Sequence, residues 1–208
     1  GADGAMGATG ADGATGATGA DGATGATGAD GATGADGATG PSEGAIIPFS
    51  SGGPLAVTVL AAGLVGLPGV IGFGDSLQLL SLLGGTISIA GLTNFAFSMP
   101  RGGVIRSLTG YISATASLTL LAPMTYTLQV YQSTAPNETF SPVPNALVDI
   151  AIPGTISIGD TFHNIATGLN ISVTAQTRLL LVASATGGGA LFLGGSVVGS
   201  VSAGLAIQ

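Results

Sequence analysis

The sequence predicts an all-β head preceded by a collagen triple helix, and three observations carry that prediction. Glycine occupies every third position from Gly1 to Gly40 without a slip. Beyond the repeat, short runs rich in Val, Ile, Thr and Leu alternate with Gly and Pro turns, and no stretch shows a 3.6-residue period with a charged face. The 166 residues after Ser42 are enough for a full hydrophobic core.

The repeat, residues 1–42, comes first. Three polyproline-II-like strands wound about one axis leave room there only for a hydrogen atom, so an unbroken Gly-X-Y period specifies a triple helix and with it a homotrimer. Across fourteen triplets the X position is alanine thirteen times and Pro41 once. The Y position is Asp five times (Asp3, Asp12, Asp21, Asp30, Asp36) and Thr seven times, with Met6 and Ser42 as the exceptions. At about 3.1 Å per residue such a stalk reaches roughly 130 Å. Imino acids, which pre-set φ and lower the entropy lost on ordering, are almost absent. Each Asp row would also set three like charges side by side in a chain that has no lysine. The stalk is therefore expected to be marginal unless helped by glycans, by divalent cations or by a trimeric head. The candidate O-glycosylation sites are Thr9, Thr15, Thr18, Thr24, Thr27, Thr33 and Thr39.

Glu43 falls where the next glycine belongs, so the head is expected to span 43–208. No signal peptide opens the chain and Gly1 is already in register, so the sequence reads as a fragment or processed form. The uncharged segment 45–74 is hydrophobic enough to flag a membrane span. Pro54, Gly63, Gly66, Pro68, Gly69, Gly72 and Gly74 interrupt it, and short strands are expected instead. Further strands are expected over 86–90, 94–99, 104–115, 118–132, 146–152, 168–175, 178–185 and 196–207. Turns are expected at 84–85, 100–103, 134–137, 153–154 and 187–189. Eight to ten strands in a sandwich or jelly roll fit this spacing. Because several strands are apolar or small on both faces, the second face is expected to lie in a trimer interface.

Composition excludes several functions. Three arginines, no lysine and a net charge of -7 give no basic patch for nucleic acid or anionic lipid. The absence of cysteine removes disulfides, thiolate metal sites and cysteine nucleophiles.

Five segments carry a resemblance: Ala45 to Phe49 (AIIPF), Ile71 to Gly74 (IGFG), Asn94 to Arg101 (NFAFSMPR), Tyr131 to Ala146 (YQSTAPNETFSPVPNA) and Gly168 to Thr186 (GLNISVTAQTRLLLVASAT). They resemble the collagen-like exosporium glycoproteins of spore-forming bacteria, of the BclA/BclB type with a BclB-like C-terminal domain. The resemblance implies a spore-surface filament with O-glycans on the stalk and a trimeric jelly-roll head like that of the C1q and tumour-necrosis-factor superfamily. Its partners would be other spore-surface or appendage proteins and host surface ligands, and its work shielding and adhesion. A receptor-binding tip of a phage or spore-appendage fibre shares the same plan and is the alternative.

One motif points to chemistry. Asp75-Ser76-Leu77 completes a GDSL sequence, and Asp160 to His163 supplies D-x-x-H, the nucleophile and base blocks of GDSL serine esterases. That family has a parallel sheet flanked by helices, and its blocks lie farther apart than Ser76 and His163 do here. No catalytic, cofactor or metal residue is therefore assigned. His163, the single histidine, reads as a loop or interface residue, Asp149 and Asp160 as turn caps, and Arg101, Arg106 and Arg178 as partners of the few acids. Asn137 and Asn170 stand in N-glycosylation sequons, which the resemblance to bacterial proteins implies are coincidental.

Overall fold

The computed structural model describes residues 4–32, 44–79, 85–120, 122–188 and 193–208. The chain separates into two compact units, Gly1–Thr39 and Gly40–Gln208. The described repeat residues adopt no regular hydrogen-bonded structure and are exposed throughout. Open space surrounds each of their glycines.

The head is all-β, with a single 3-10 turn at Ala61–Gly63 and no α-helix among the described residues. One sheet is built from β1 (Ala45–Ser50), β2 (Leu55–Val59), β7 (Gly103–Ala114), β12 (Thr161–Ala166), β13 (Ile171–Val173) and β15 (Gly195–Ile207). Its order is β1-β15-β7-β12, with β2 continuing beside β15 and β13 beside β7. The other sheet runs β4 (Ser76–Gln78), β3 (Gly69–Ile71), β14 (Arg178–Gly187), β9 (Met124–Ser133), β10 (Thr139–Ile152), β5 (Ile87–Ser88), with β6 (Phe97–Ser98) also on β14. A separate two-stranded sheet pairs β8 (Leu118–Thr119) with β11 (Thr155–Ile156). The first and last strands of the head are thus neighbours.

Period-two patterning explains the long strands. Along β7, Ile105, Leu108, Gly110, Ile112 and Ala114 point inward, and Leu128, Ile150 and Leu181 of the opposite sheet meet them in the main core. The two curled sheets therefore form the sandwich that a jelly-roll-like head requires.

Several sequence expectations change. The 118–132 run breaks into β8 and β9 at Pro123, which has no N–H for a ladder bond. Strand β10 begins seven residues before the expected Ala146, because a register shift between Pro142 and Leu147 lets two prolines sit inside a strand. Asn145, at the shift, has φ of 63°. Only Phe97–Ser98 of 94–99 and Ile171–Val173 of 168–175 form strand. Strand β14 runs on through Gly187, while Gly84 and Gly189 of the expected turns lie outside the described residues. Strand β12 was not expected: most of it is exposed, and its backbone pairing with β7 holds it rather than burial.

The second face of β14 is also covered differently from expectation. Leu179, Leu181 and Ala183 enter the main core, whereas Leu180 and Val182 pack on the far side with Val70, Leu79, Ile87, Ile89, Phe95 and Phe140. The chain supplies its own third layer there, so β14 needs no partner subunit to leave water.

Candidate functional site

The residues singled out for chemistry do not converge. Ser76 lies on β4, at one edge of its sheet, and pairs with Ile71. His163 lies on β12, at the far edge of the other sheet, and pairs with Tyr111. Strand β4 lies against β2 and strand β12 against β10, which puts the would-be nucleophile and base on opposite sides of the sandwich. Asp75 Oδ1 accepts a hydrogen bond from the Ser76 backbone at 2.8 Å, and Asp160 Oδ2 accepts one from Ser157 N at 2.7 Å. Both carboxylates shape turns. Asp149 Oδ1 accepts from Thr127 Oγ1 at 2.6 Å across two strands. Among the described residues no three His, Asp or Glu side chains gather as a metal site would require.

The arginines take structural work. Arg178 is 9% exposed and donates to Glu138 Oε1 (2.8 Å), the Asn137 carbonyl (2.7 Å) and Asn94 Oδ1 (2.9 Å). Its guanidinium also lies 5.3 Å from the Phe140 ring centre. It ties the 134–138 loop to the sheet, and its pairing with Glu138 is the arginine–acid contact that the sequence led one to expect. Arg106 pairs with amides instead of acids, donating to Gln208 Oε1 and Asn170 Oδ1. The two sequon asparagines are thus engaged: Asn137 Oδ1 accepts from Ser133 Oγ and Thr139 N, and Asn170 Oδ1 from Arg106.

In the repeat, Thr9, Thr15, Thr18, Thr24 and Thr27 are exposed. Thr33 and Thr39 lie outside the described residues.

Two surface features stand out on the sheet that contains the first strand. Its outward face is built of rows read across the register: Ser50, Ser202, Tyr111, His163 in one, and Pro48, Gly204, Thr109, Ile165 in the next. Side chains in one row share a face. No carboxylate occurs in these rows, and small residues dominate them.

The second feature is the end at which the chain enters the head. Ala45 pairs with Ile207, and Gly44 approaches the Ile207 carbonyl so closely that a Cβ there would collide with it. Ile46 is 72% exposed. On the opposite face of β1, an apolar cleft of about 130 Å³ lies between Ala45, Ile47 and Ile207 on one side and Phe97, Met99 and Pro100 on the other, with exposed Arg101 beside them. Phe97 belongs to an aromatic trio with Phe49 and Phe73, ring centres 5.3–6.2 Å apart. The run Ala45-Ile46-Ile47-Pro48-Phe49 directly after the repeat was the sequence signal for this feature. Which of its side chains face outward needed the register. At the other end of β15, about 40 Å away at 3.3 Å per residue, Leu60, Leu64, Ile158 and Leu193 are each more than half exposed.

No helix among the described residues is long and apolar enough to cross a membrane. No known protein-family model matches the chain, and no solved structure does. The chain is similar to a protein named collagen-like protein 1 from Acanthamoeba polyphaga mimivirus, with 37% identity over 180 residues. The match takes in 80% of this chain and 19% of that protein, so the chain spans about a fifth of its relative's length. A match of that breadth is far longer than the 42-residue repeat and must include most of the head. Repeat and relative together make this a collagen-like protein, a Gly-X-Y segment leading into an all-β head.

Proposed function

We propose that the chain is a structural fibre protein in which three copies wind their repeats into a stalk and their heads trimerise to set its register. The observation that carries this reading is the unbroken triplet pattern running to within three residues of the first head strand. A repeat with glycine at every third position is useful only in a three-chain rod. A head with a carboxylate-free, small-residue sheet face offers a surface on which three copies can pack closely, in the manner of C1q and tumour-necrosis-factor heads.

The product is a hydrated, negatively charged bristle with a compact tip, displayed on an extracellular surface. Its work is shielding and adhesion, and the repeat threonines are acceptors for O-glycans. The resemblance to exosporium glycoproteins is the ground for proposing a spore surface as its setting. The viral relative favours a second reading, in which the head is the receptor-binding tip of a viral fibre. The exposed leucines and Ile158 at the end of β15 opposite Ile207 are then the contact surface.

Light scattering on the full chain and on residues 44–208, with circular dichroism of the repeat in each context, tests the common core of both readings. A trimeric head whose removal abolishes the triple-helix signal is the expected result. A monomeric full chain refutes it. Binding of fluorescent fibres to spores or to host cells then separates the two settings.

A further inference from the structure

We propose that the head trimer closes through a ring of knobs and clefts at the stalk end, in which Ile46 of each protomer fills the apolar cleft beside β1 of the next. This rests on the trimeric reading above and adds to it the contact that closes the ring.

The occupant follows from the chain's own connectivity. Ser42 ends the last triplet, and three residues later Ala45 opens β1. Three residues of chain span at most about 11 Å. If the repeats share one axis, the three β1 strands therefore begin close to it, and what surrounds Ala45 and Ile46 in the assembly is another copy of the same strand. No other partner can be brought to this spot by so short a tether.

The two sides of β1 are unlike, which selects the symmetry. Ile46 projects from one face and is 72% exposed. Ala45 and Ile47 point to the other face, where they line the cleft with Ile207, Phe97, Met99 and Pro100. A twofold contact joins one shared patch of two copies, so a knob and a hole that face opposite ways across an edge strand call for a different neighbour on each side. They are satisfied by a head-to-tail contact, which closes into a ring when the rotation is 120°. The outer edge of β1 is bridged at its far end, where Ser50 meets Phe73, and among the described residues no strand pairs with that edge at Ala45–Ile47, the end that carries the knob.

Size and chemistry agree. The cleft, about 130 Å³ and almost wholly apolar, approaches the roughly 150 Å³ apolar cavity that accepts a benzene-sized guest, and a branched four-carbon side chain is smaller than that guest. Arg101 beside the cleft can lay its aliphatic stem over the inserted side chain while its charge stays in water.

The test uses the full chain. Ile46→Asp and the control Leu92→Asp, an exposed apolar residue remote from β1 in sequence, are compared with the natural chain by light scattering and by far-ultraviolet dichroism. In parallel the chain, which has no cysteine, is given the pair Ile46→Cys and Pro100→Cys and oxidised. The expected result is a trimeric natural chain and a trimeric L92D. I46D should lose the trimer while keeping its β signal, and the double-cysteine variant should run as a covalent trimer on a denaturing gel. A natural trimer with I46D still trimeric at the same melting temperature, and no covalent trimer, overturns the ring while leaving the trimeric reading in place. A natural chain that is not trimeric overturns both. If I46D fails to fold, the covalent trimer alone decides.

Discussion

Tyr126 offers the sharpest test of the head's energetics. Its ring sits in the main core between Ile150 and Ala185 on the neighbouring strands, and its hydroxyl has no hydrogen-bond partner among the described residues. A buried hydroxyl without a partner costs about 1–3 kcal/mol, and little packing is lost when the oxygen is removed. Tyr126→Phe should therefore stabilise the head by about 1–2 kcal/mol. In a domain of this size that raises the melting temperature by about 2–8 °C. Burial also pushes the Tyr126 and Tyr131 hydroxyls above their ordinary value, so the folded head keeps these protons when the unfolded chain begins to lose them. Below pH 10 both states hold the protons and stability does not depend on them. Above pH 10 the unfolded state binds fewer, and stability falls as pH rises, by up to about 1.4 kcal/mol per unit for Tyr126. Thermal melts of the natural head and Y126F between pH 7 and 11 read both effects. A variant no more stable than the natural head at pH 7, or one with the same alkaline slope, would refute the reasoning, because the hydroxyl would then be paired or solvated.

Other substitutions probe the rest of the scaffold. Arg178→Ala removes two hydrogen bonds to the 134–138 loop and one to Asn94, and denaturant melts should show a loss of about 2–3 kcal/mol, most of it from the lost hydrogen bonds because Glu138 is itself half exposed. Gly110→Ala puts a Cβ 2.6 Å from Leu128 Cδ1 and 3.0 Å from Ile150 Cδ1, and overpacking of this kind should cost about 1–3 kcal/mol in the same assay. In the repeat, protonation of the aspartate rows should raise the triple-helix melting temperature as pH falls toward 4, followed by dichroism; a flat or opposite trend would remove charge repulsion from the account.

The long strands were legible because burial wrote them into the sequence. Strand β15 buries Val197, Val201, Ala203, Leu205 and Ile207 at alternate or near-alternate positions and exposes Ser202 between them, and a period of two is visible without a structure. Strand β12 was not legible: Thr161, His163, Asn164 and Ile165 are exposed, and a strand held by backbone pairing leaves no hydrophobic signature. The first half of β10 was hidden by Pro142 and Pro144, which mark a loop unless a register shift removes the need for their missing N–H groups. For the site, the apolar run after the repeat was plain from composition, but the division of Ile46 from Ala45 and Ile47 onto opposite faces appeared only with the register to β15. The GDSL residues show the reverse case, since chain spacing carries no information on which sheet a residue joins, and Ser76 and His163 join different ones.

The weak repeat and the well-packed head answer one another. With one proline in forty-two residues and five rows of like charge, the stalk lacks both the chain stiffness and the pairing that would let three separate strands find each other. Tethering them to an assembled head replaces that encounter with an intramolecular one, at an effective concentration set by the tether. Only Glu43 and Gly44 separate the last triplet from β1. Inserting fourteen Gly/Ser residues there would lengthen the tether from two residues to sixteen, three doublings, each costing about 0.6 kcal/mol of closure entropy. Each chain that must join the others then loses about 2 kcal/mol of its advantage. The triple-helix signal should melt at a lower temperature, still independent of protein concentration because the assembled head holds the three chains together, while the head's own melting at a fixed protein concentration is unchanged. An unaltered stalk melt would mean that the repeat assembles without the head's help, and the clamp would have to be abandoned even if the head is a trimer.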